Sequence, residues 1–156
     1  MLRKLATVSL LTLGLAACDS SEVGDVSLGL FTMKDIKLNH LKDPIVTGVT
    51  CHVASIEADF SLADPSDSSI SCRQTGEITP EMIAEIDKSD SGDVVFKKSK
   101  SIFFKSMKVR RIYDVENQTL MYLSYSTKET DGSFKHSLST IPLWGTKAFN
   151  SFTPSK

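Results

Sequence analysis

Three histidines, His40, His52 and His136, carry the side chains best suited to metal ligation or proton transfer in this chain of 156 residues. None stands at a spacing that a zinc site uses. Positions on the surface or at the rim are therefore the simpler reading for all three. His52 stands out because it flanks Cys51. Neighbouring side chains of a strand point to opposite faces, so His52 is badly placed to activate that thiol, which would need hydrogen-bond reach. A second group of candidates is Asp64 and Asp67, in the hydroxyl-rich stretch Asp64-Pro65-Ser66-Asp67-Ser68-Ser69. Carboxylate and hydroxyl oxygens suit a hard cation such as calcium. The stretch lacks the glycine and terminal glutamate of an EF-hand loop, and a turn whose side chains bond their own backbone is preferred. His52, Asp64 and Asp67 form the weak ligand-site candidate of the sequence. There is no Gly-x-Ser-x-Gly, no His-Glu-x-x-His and no phosphate-binding glycine loop. No catalytic residue, metal ligand or cofactor is assigned.

The largest charge feature is the basic run Lys97-Lys98-Ser99-Lys100, followed by Lys105, Lys108, Arg110 and Arg111. Beside a membrane it would face anionic headgroups, at about 1 kcal/mol per basic residue. The preferred reading is a solvated sheet face whose lysines discourage edge pairing. Eighteen Lys and Arg against nineteen Asp and Glu leave no basic excess of the kind that nucleic-acid binding requires.

The first seventeen residues differ from the rest. Arg3 and Lys4 precede an uncharged apolar run, Leu5 to Ala17, and the segment closes on Leu15-Ala16-Ala17-Cys18. Basic start, short apolar stretch and small residues describe a signal peptide, shorter than the roughly 20 residues of a membrane span. The closing tetrapeptide resembles the bacterial lipobox, in which the cysteine sulfur takes diacylglycerol and becomes the new N-terminus. The expectation is cleavage of residues 1–17 and a lipid anchor at Cys18. Loss of Arg3 and Lys4 then leaves 16 bases against 19 acids, a near-neutral mature chain of one-domain size. With Cys18 acylated, Cys51 and Cys72 remain as an even pair in an oxidising envelope. A disulfide is preferred over two free buried thiols or a redox-active pair. Closing a loop of that length stabilises by roughly 3 kcal/mol in the chain-entropy model.

Elements must position these side chains. Residues 19–24 are small and polar and read as a flexible tether. Lys42-Asp43-Pro44 is a turn. Val49-Thr50-Cys51-His52-Val53 and Ile70-Ser71-Cys72-Arg73-Gln74 alternate as strands, each with its cysteine on the apolar face. Thr79-Pro80-Glu81 opens a helix over 80–88. From Val94 to Thr127 the pattern is a β-meander: a strand at Val94-Val95-Phe96, a polar connection at 97–100, a strand from Ile102 to Tyr113, and another from Leu120 to Ser126. A final strand from Phe134 to Leu143 ends at Pro142, and 144–156 read as a tail with little periodicity.

Several blocks, in order, resemble the CreA family of small envelope proteins. They include Val49-Thr50-Cys51-His52-Val53-Ala54-Ser55, Ser69-Ile70-Ser71-Cys72-Arg73-Gln74-Thr75-Gly76, Asp93-Val94-Val95-Phe96-Lys97-Lys98, Ser101-Ile102-Phe103-Phe104-Lys105-Ser106, Val109-Arg110-Arg111-Ile112-Tyr113-Asp114 and Tyr122-Leu123-Ser124-Tyr125-Ser126. The resemblance runs from about Gly24 to Leu143. It implies a periplasmic location and supplies no catalytic residues. Members of that family often carry an aromatic where His52 stands, and a glycine-rich segment where this chain has Ile56 to Ser61. Many are plainly secreted, without a lipobox.

The expectations are therefore a single α+β domain over 25–143, mainly antiparallel sheet with one short helix, following a signal peptide and a lipidated tether at 18–24. The functional reading is a membrane-tethered, non-catalytic envelope module that binds a protein partner or takes part in signalling. A small-molecule or lipid-binding periplasmic domain ranks second, and an enzyme third. Asp19 after Cys18 resembles an inner-membrane retention signal.

Overall fold

The computed structural model describes residues 21–29, 34–58, 68–99, 106–127 and 135–150. Among them, eight strands form two four-stranded sheets. The first holds β1 (Glu22–Ser27), β2 (Lys34–Lys42), β3 (Val49–Ala58) and β4 (Ser68–Gln74), in that order. The second holds β5 (Asp93–Ser99), β6 (Ser106–Asp114), β7 (Thr119–Thr127) and β8 (His136–Pro142). Within each sheet every strand pairs antiparallel with its chain neighbour. A short helix, α1 (Pro80–Glu85), links the two meanders. The expected predominance of antiparallel sheet with one short helix holds, with the helical share smaller than an α+β description suggests.

Alternation explains the layers. In β3, Cys51, Val53 and Ser55 are buried while His52, Ala54 and Ile56 are half-buried on the other face. Met107, Val109 and Arg111 of β6 and Leu120, Tyr122 and Ser124 of β7 fill the inner face of the second sheet. Ile78, Ile83, Ile86, Leu143 and Ala148, from α1 and the connections, close the core. At about 1.5–3 kcal/mol per fully buried aliphatic or aromatic side chain, this cluster supplies the main folding force.

The two meanders join where β4 meets β8. No backbone ladder links these strands among the described residues. Instead, Ser139 Oγ accepts a hydrogen bond from the Cys72 amide at 2.8 Å, and Ser137 Oγ one from the Ile70 amide at 3.2 Å. Ser68 and Ser124 hydroxyls lie 3.1 Å apart at the same seam. The free edge of β4 thus finds acceptors on side chains, which satisfies its amides and removes it as a template for other strands.

Four sequence expectations change. The helix ends at Glu85 rather than 88, because Ile86 is extended and buried and Asp87 accepts from the Ser89 amide at 2.8 Å, a turn that competes with helix. Glu22–Gly24, expected in the tether, lie in β1, where Lys37 of β2 reaches Asp25 at 2.6 Å and Glu22 at 3.3 Å. Lys97–Ser99, expected as a connection, belong to β5. The tail is packed as far as Asn150: Ala148 is buried and its amide donates to Ile78 O, while Gln118 and Asn150 exchange two hydrogen bonds. The signal peptide and residues 18–20 of the tether, Cys18 included, lie outside the described residues.

One glycine is obligatory on two counts. Gly92 has φ +55°, and a Cβ there would stand 2.0 Å from Arg111 O. Only glycine lets the chain enter β5 this close to β6.

Candidate functional site

Polar chemistry inside the fold centres on a group that the turn Lys42-Asp43-Pro44 and strands β6 and β7 bring together. The side chain of Asp43 is fully buried and that of Arg111 is 1 % exposed. Arg111 donates from Nη1 to Asp43 Oδ1 at 2.5 Å and from Nη2 to Asp93 Oδ2 at 2.9 Å. Asp43 Oδ1 also accepts from the amides of Ile45 at 2.9 Å and Val46 at 2.8 Å. Tyr122 donates its hydroxyl to Asp43 Oδ2 at 2.8 Å. Desolvation, reinforced by the Asp43 charge, pushes the Tyr122 phenol well above its ordinary range.

This constellation is committed to the fold. Both carboxylate oxygens of Asp43 are engaged, the guanidinium is matched to two acids, and the group ties the loop after β2 to the second sheet. A buried charge left without such partners would be several kcal/mol unfavourable. Sequence reasoning placed Asp43 in a turn and Arg111 in the basic surface run, and it missed their union. A signal was present: Met107, Val109 and Arg111 share one strand phase, so Arg111 had to follow the two apolar side chains inward. The neighbouring Arg110 points the other way and donates to the carbonyls of Ser91 and Gly92 at 2.7 and 3.1 Å. Lys97 of the same run is exposed and Lys108 half-buried, while Lys100 and Lys105 lie outside the described residues.

Cys51 and Cys72 are joined by a disulfide. They face each other directly across β3 and β4, and Cys51 is fully buried. The bridge therefore staples the edge strand β4 to β3, with Cys51 inside the hydrophobic core.

His52 lies on the opposite, outward face of β3. There the register sets it directly across from His40 of β2. The pairing type follows from the ladder. Asp43 N donates to Val49 O, so pairs 43↔49 and 41↔51 are the hydrogen-bonded ones. The 40↔52 pair then falls on a non-hydrogen-bonded position, where antiparallel Cα atoms are about 4.5 Å apart and side chains come closest. Both histidines are half-buried, and the Nδ1 atom of His40 is buried without a hydrogen-bond partner among the described residues. His136 begins β8 in the other sheet and stands exposed. Asp64 and Asp67, which the sequence grouped with His52 as a candidate ligand site, lie outside the described residues. Among the described residues, no three His, Cys, Asp or Glu side chains converge as a metal cage, and no helix is long and apolar enough to cross a membrane.

Comparison with known proteins gives one consistent result. The profile of the CreA protein family matches residues 23–146. Protein CreA of Escherichia coli strain K12 is 38% identical over 148 residues, covering 88% of this chain and 92% of that protein. The proteins of the same name from strains O6:H1 and O157:H7 match to the same extent. No solved structure matches significantly.

Proposed function

The chain belongs to the CreA family, and from that premise we propose that it is an exported lipoprotein whose folded domain works as a non-catalytic binding or signalling module on the envelope side of a bacterial membrane. The observation that carries the reading is the Cys51–Cys72 bridge between β3 and β4. Such bridges form and persist in oxidising compartments and are rare in a reducing cytosol. The n-region, apolar run and Leu15-Ala16-Ala17-Cys18 supply the export and acylation signals. β1 begins at Glu22, four positions after Cys18, so a lipid on Cys18 would hold the domain close to the bilayer surface. Several acyl chains on one residue give stable anchoring, at about 0.8 kcal/mol per buried methylene.

The non-catalytic part of the proposal draws on how the interior uses its polar groups. Asp43, Arg111 and Tyr122 are residue types that often serve in active sites, and here the Asp43 carboxylate, both terminal guanidinium nitrogens of Arg111 and the Tyr122 hydroxyl are taken up by contacts within the fold. A small-molecule or lipid-binding domain is the second reading, resting on the tether and the β architecture alone.

Intact-mass analysis of the membrane-extracted protein tests export and tethering. The expected species begins at Cys18, carries acyl mass and lacks the two hydrogens of the bridged cysteines. An unmodified Cys18, with the protein in the soluble fraction, would refute the tether. Crosslinking in intact envelopes tests the module: a single recurrent protein adduct supports it, and a repeated absence of adducts together with a co-purifying metabolite favours the second reading.

A further inference from the structure

We propose that His40 and His52 form a two-histidine site for a first-row divalent transition metal, with copper(II) bound most tightly, on the outward face of the first sheet. They are distant in sequence, and the β2–β3 register makes them direct cross-strand neighbours. Three observations converge. The pair occupies a non-hydrogen-bonded position, the one in which opposed side chains approach most closely. Both side chains are half-buried, so the sheet holds them while their outer edges remain accessible. His40 also keeps a buried Nδ1 with no hydrogen-bond partner among the described residues, an unsatisfied polar atom of the kind that native folds rarely leave unused.

Neutral imidazole suits copper, nickel and zinc, and metal–nitrogen bonds of about 2.0–2.1 Å are within reach of two imidazoles carried by directly opposed residues of a strand pair. Two protein ligands leave the remaining positions to water or to a donor from a partner. Such a site is open and exchangeable, unlike a closed structural zinc site. The neighbours on this face agree with a discrete pair: Leu38 and Ala54 form the next row on one side, and Lys42 and Thr50 the row on the other. Ser71 of β4 stands opposite His52 on its far edge. The cations in these rows, Lys42 and, across β4 from Thr50, Arg73, are both exposed to solvent. This inference is independent of the envelope reading, since it rests on the register and burial of the pair.

The test is calorimetric titration of the tag-free, disulfide-intact protein with copper(II), nickel(II) and zinc(II) salts, separately. One equivalent per chain is expected, tightest for copper by the Irving–Williams order. His40→Gln and His52→Phe should each weaken copper binding by about 100-fold, because losing one ligand forfeits the effective concentration that the second provides. The aromatic replacement suits the strand, so it guards against a folding artefact. His136→Gln should bind like the parent protein. Unchanged circular dichroism of the variants confirms that they fold. No saturable one-to-one binding, single variants that bind like the parent, or loss of binding in His136→Gln would each overturn the proposal.

Discussion

Neutralising Asp43 is the sharpest test of the buried ionic group. In Asp43→Asn the side-chain shape is kept, and an amide oxygen can still accept from the Ile45 and Val46 amides, which now bond Oδ1 at 2.9 and 2.8 Å. What is lost is the negative charge beside Arg111, whose remaining acid partner, Asp93, is 40 % exposed at its side chain. Removing one partner of a buried ion pair is worth about 3–5 kcal/mol. Retention of the amide contacts and of Asp93 brings the expected loss to about 2–3 kcal/mol, a large share of the roughly 5–15 kcal/mol that holds a domain together. Arg111→Met should lose about as much, because it strands the Asp43 carboxylate. The double variant removes both charges, so neither single variant's uncompensated buried ion remains at positions 43 and 111. The two losses should therefore not add, and a coupling of about 2 kcal/mol is expected for groups in direct contact. Urea unfolding of the oxidised protein at pH 7, followed by far-ultraviolet circular dichroism, measures this directly. If Asp43→Asn stays within about 0.5 kcal/mol of the parent, or if the losses simply sum, this centre does not hold the fold as its geometry implies.

Tyr122 gives a pH test. Its folded phenol titrates well above the unfolded value of about 10. Above that pH the unfolded chain holds fewer protons than the folded one, so stability falls as pH rises. Tyr122→Phe should flatten that alkaline slope in urea midpoints measured between about pH 9 and 11, with Tyr113, raised by burial, keeping a remnant of it. Replacing both Cys51 and Cys72 by Ala should lower stability by roughly 3 kcal/mol, and an unchanged midpoint would remove the bridge as a staple. Ser139→Ala should lose about 1–2 kcal/mol by stranding the Cys72 amide at the β4–β8 seam, read as faster hydrogen exchange at Cys72 than at the amides inside β3. Gly92→Ala should destabilise by more than the usual glycine replacement, since both φ and space forbid a side chain there. A midpoint at or above that of the parent would contradict it.

Local pattern was enough for much of this. Period-two alternation located β3 and β4, composition and turn signals located β7 and β8, and Thr79-Pro80 marked the start of the helix, because these are properties of a few consecutive residues. The same alternation put both cysteines on apolar faces, and the lipobox-like tetrapeptide is legible only as sequence. The family resemblance, too, came from consecutive blocks. Two of the misplaced boundaries have a common cause: Glu22 and Ala148 take their states from partners distant in the chain. Arg111 read as one more surface cation, because its charge hid its strand phase and its buried acid partner, Asp43, lies 68 residues away. His40 and His52 looked unrelated until β2 folded back on β3 and set them in one register pair. The sequence by itself determined the extended runs of β3 and β4, the apolar face that carries each cysteine, and the start of the helix. Only the tertiary structure decided which separated side chains meet, because strand register and sheet packing are settled by the sum of long-range contacts rather than by any local run of residues.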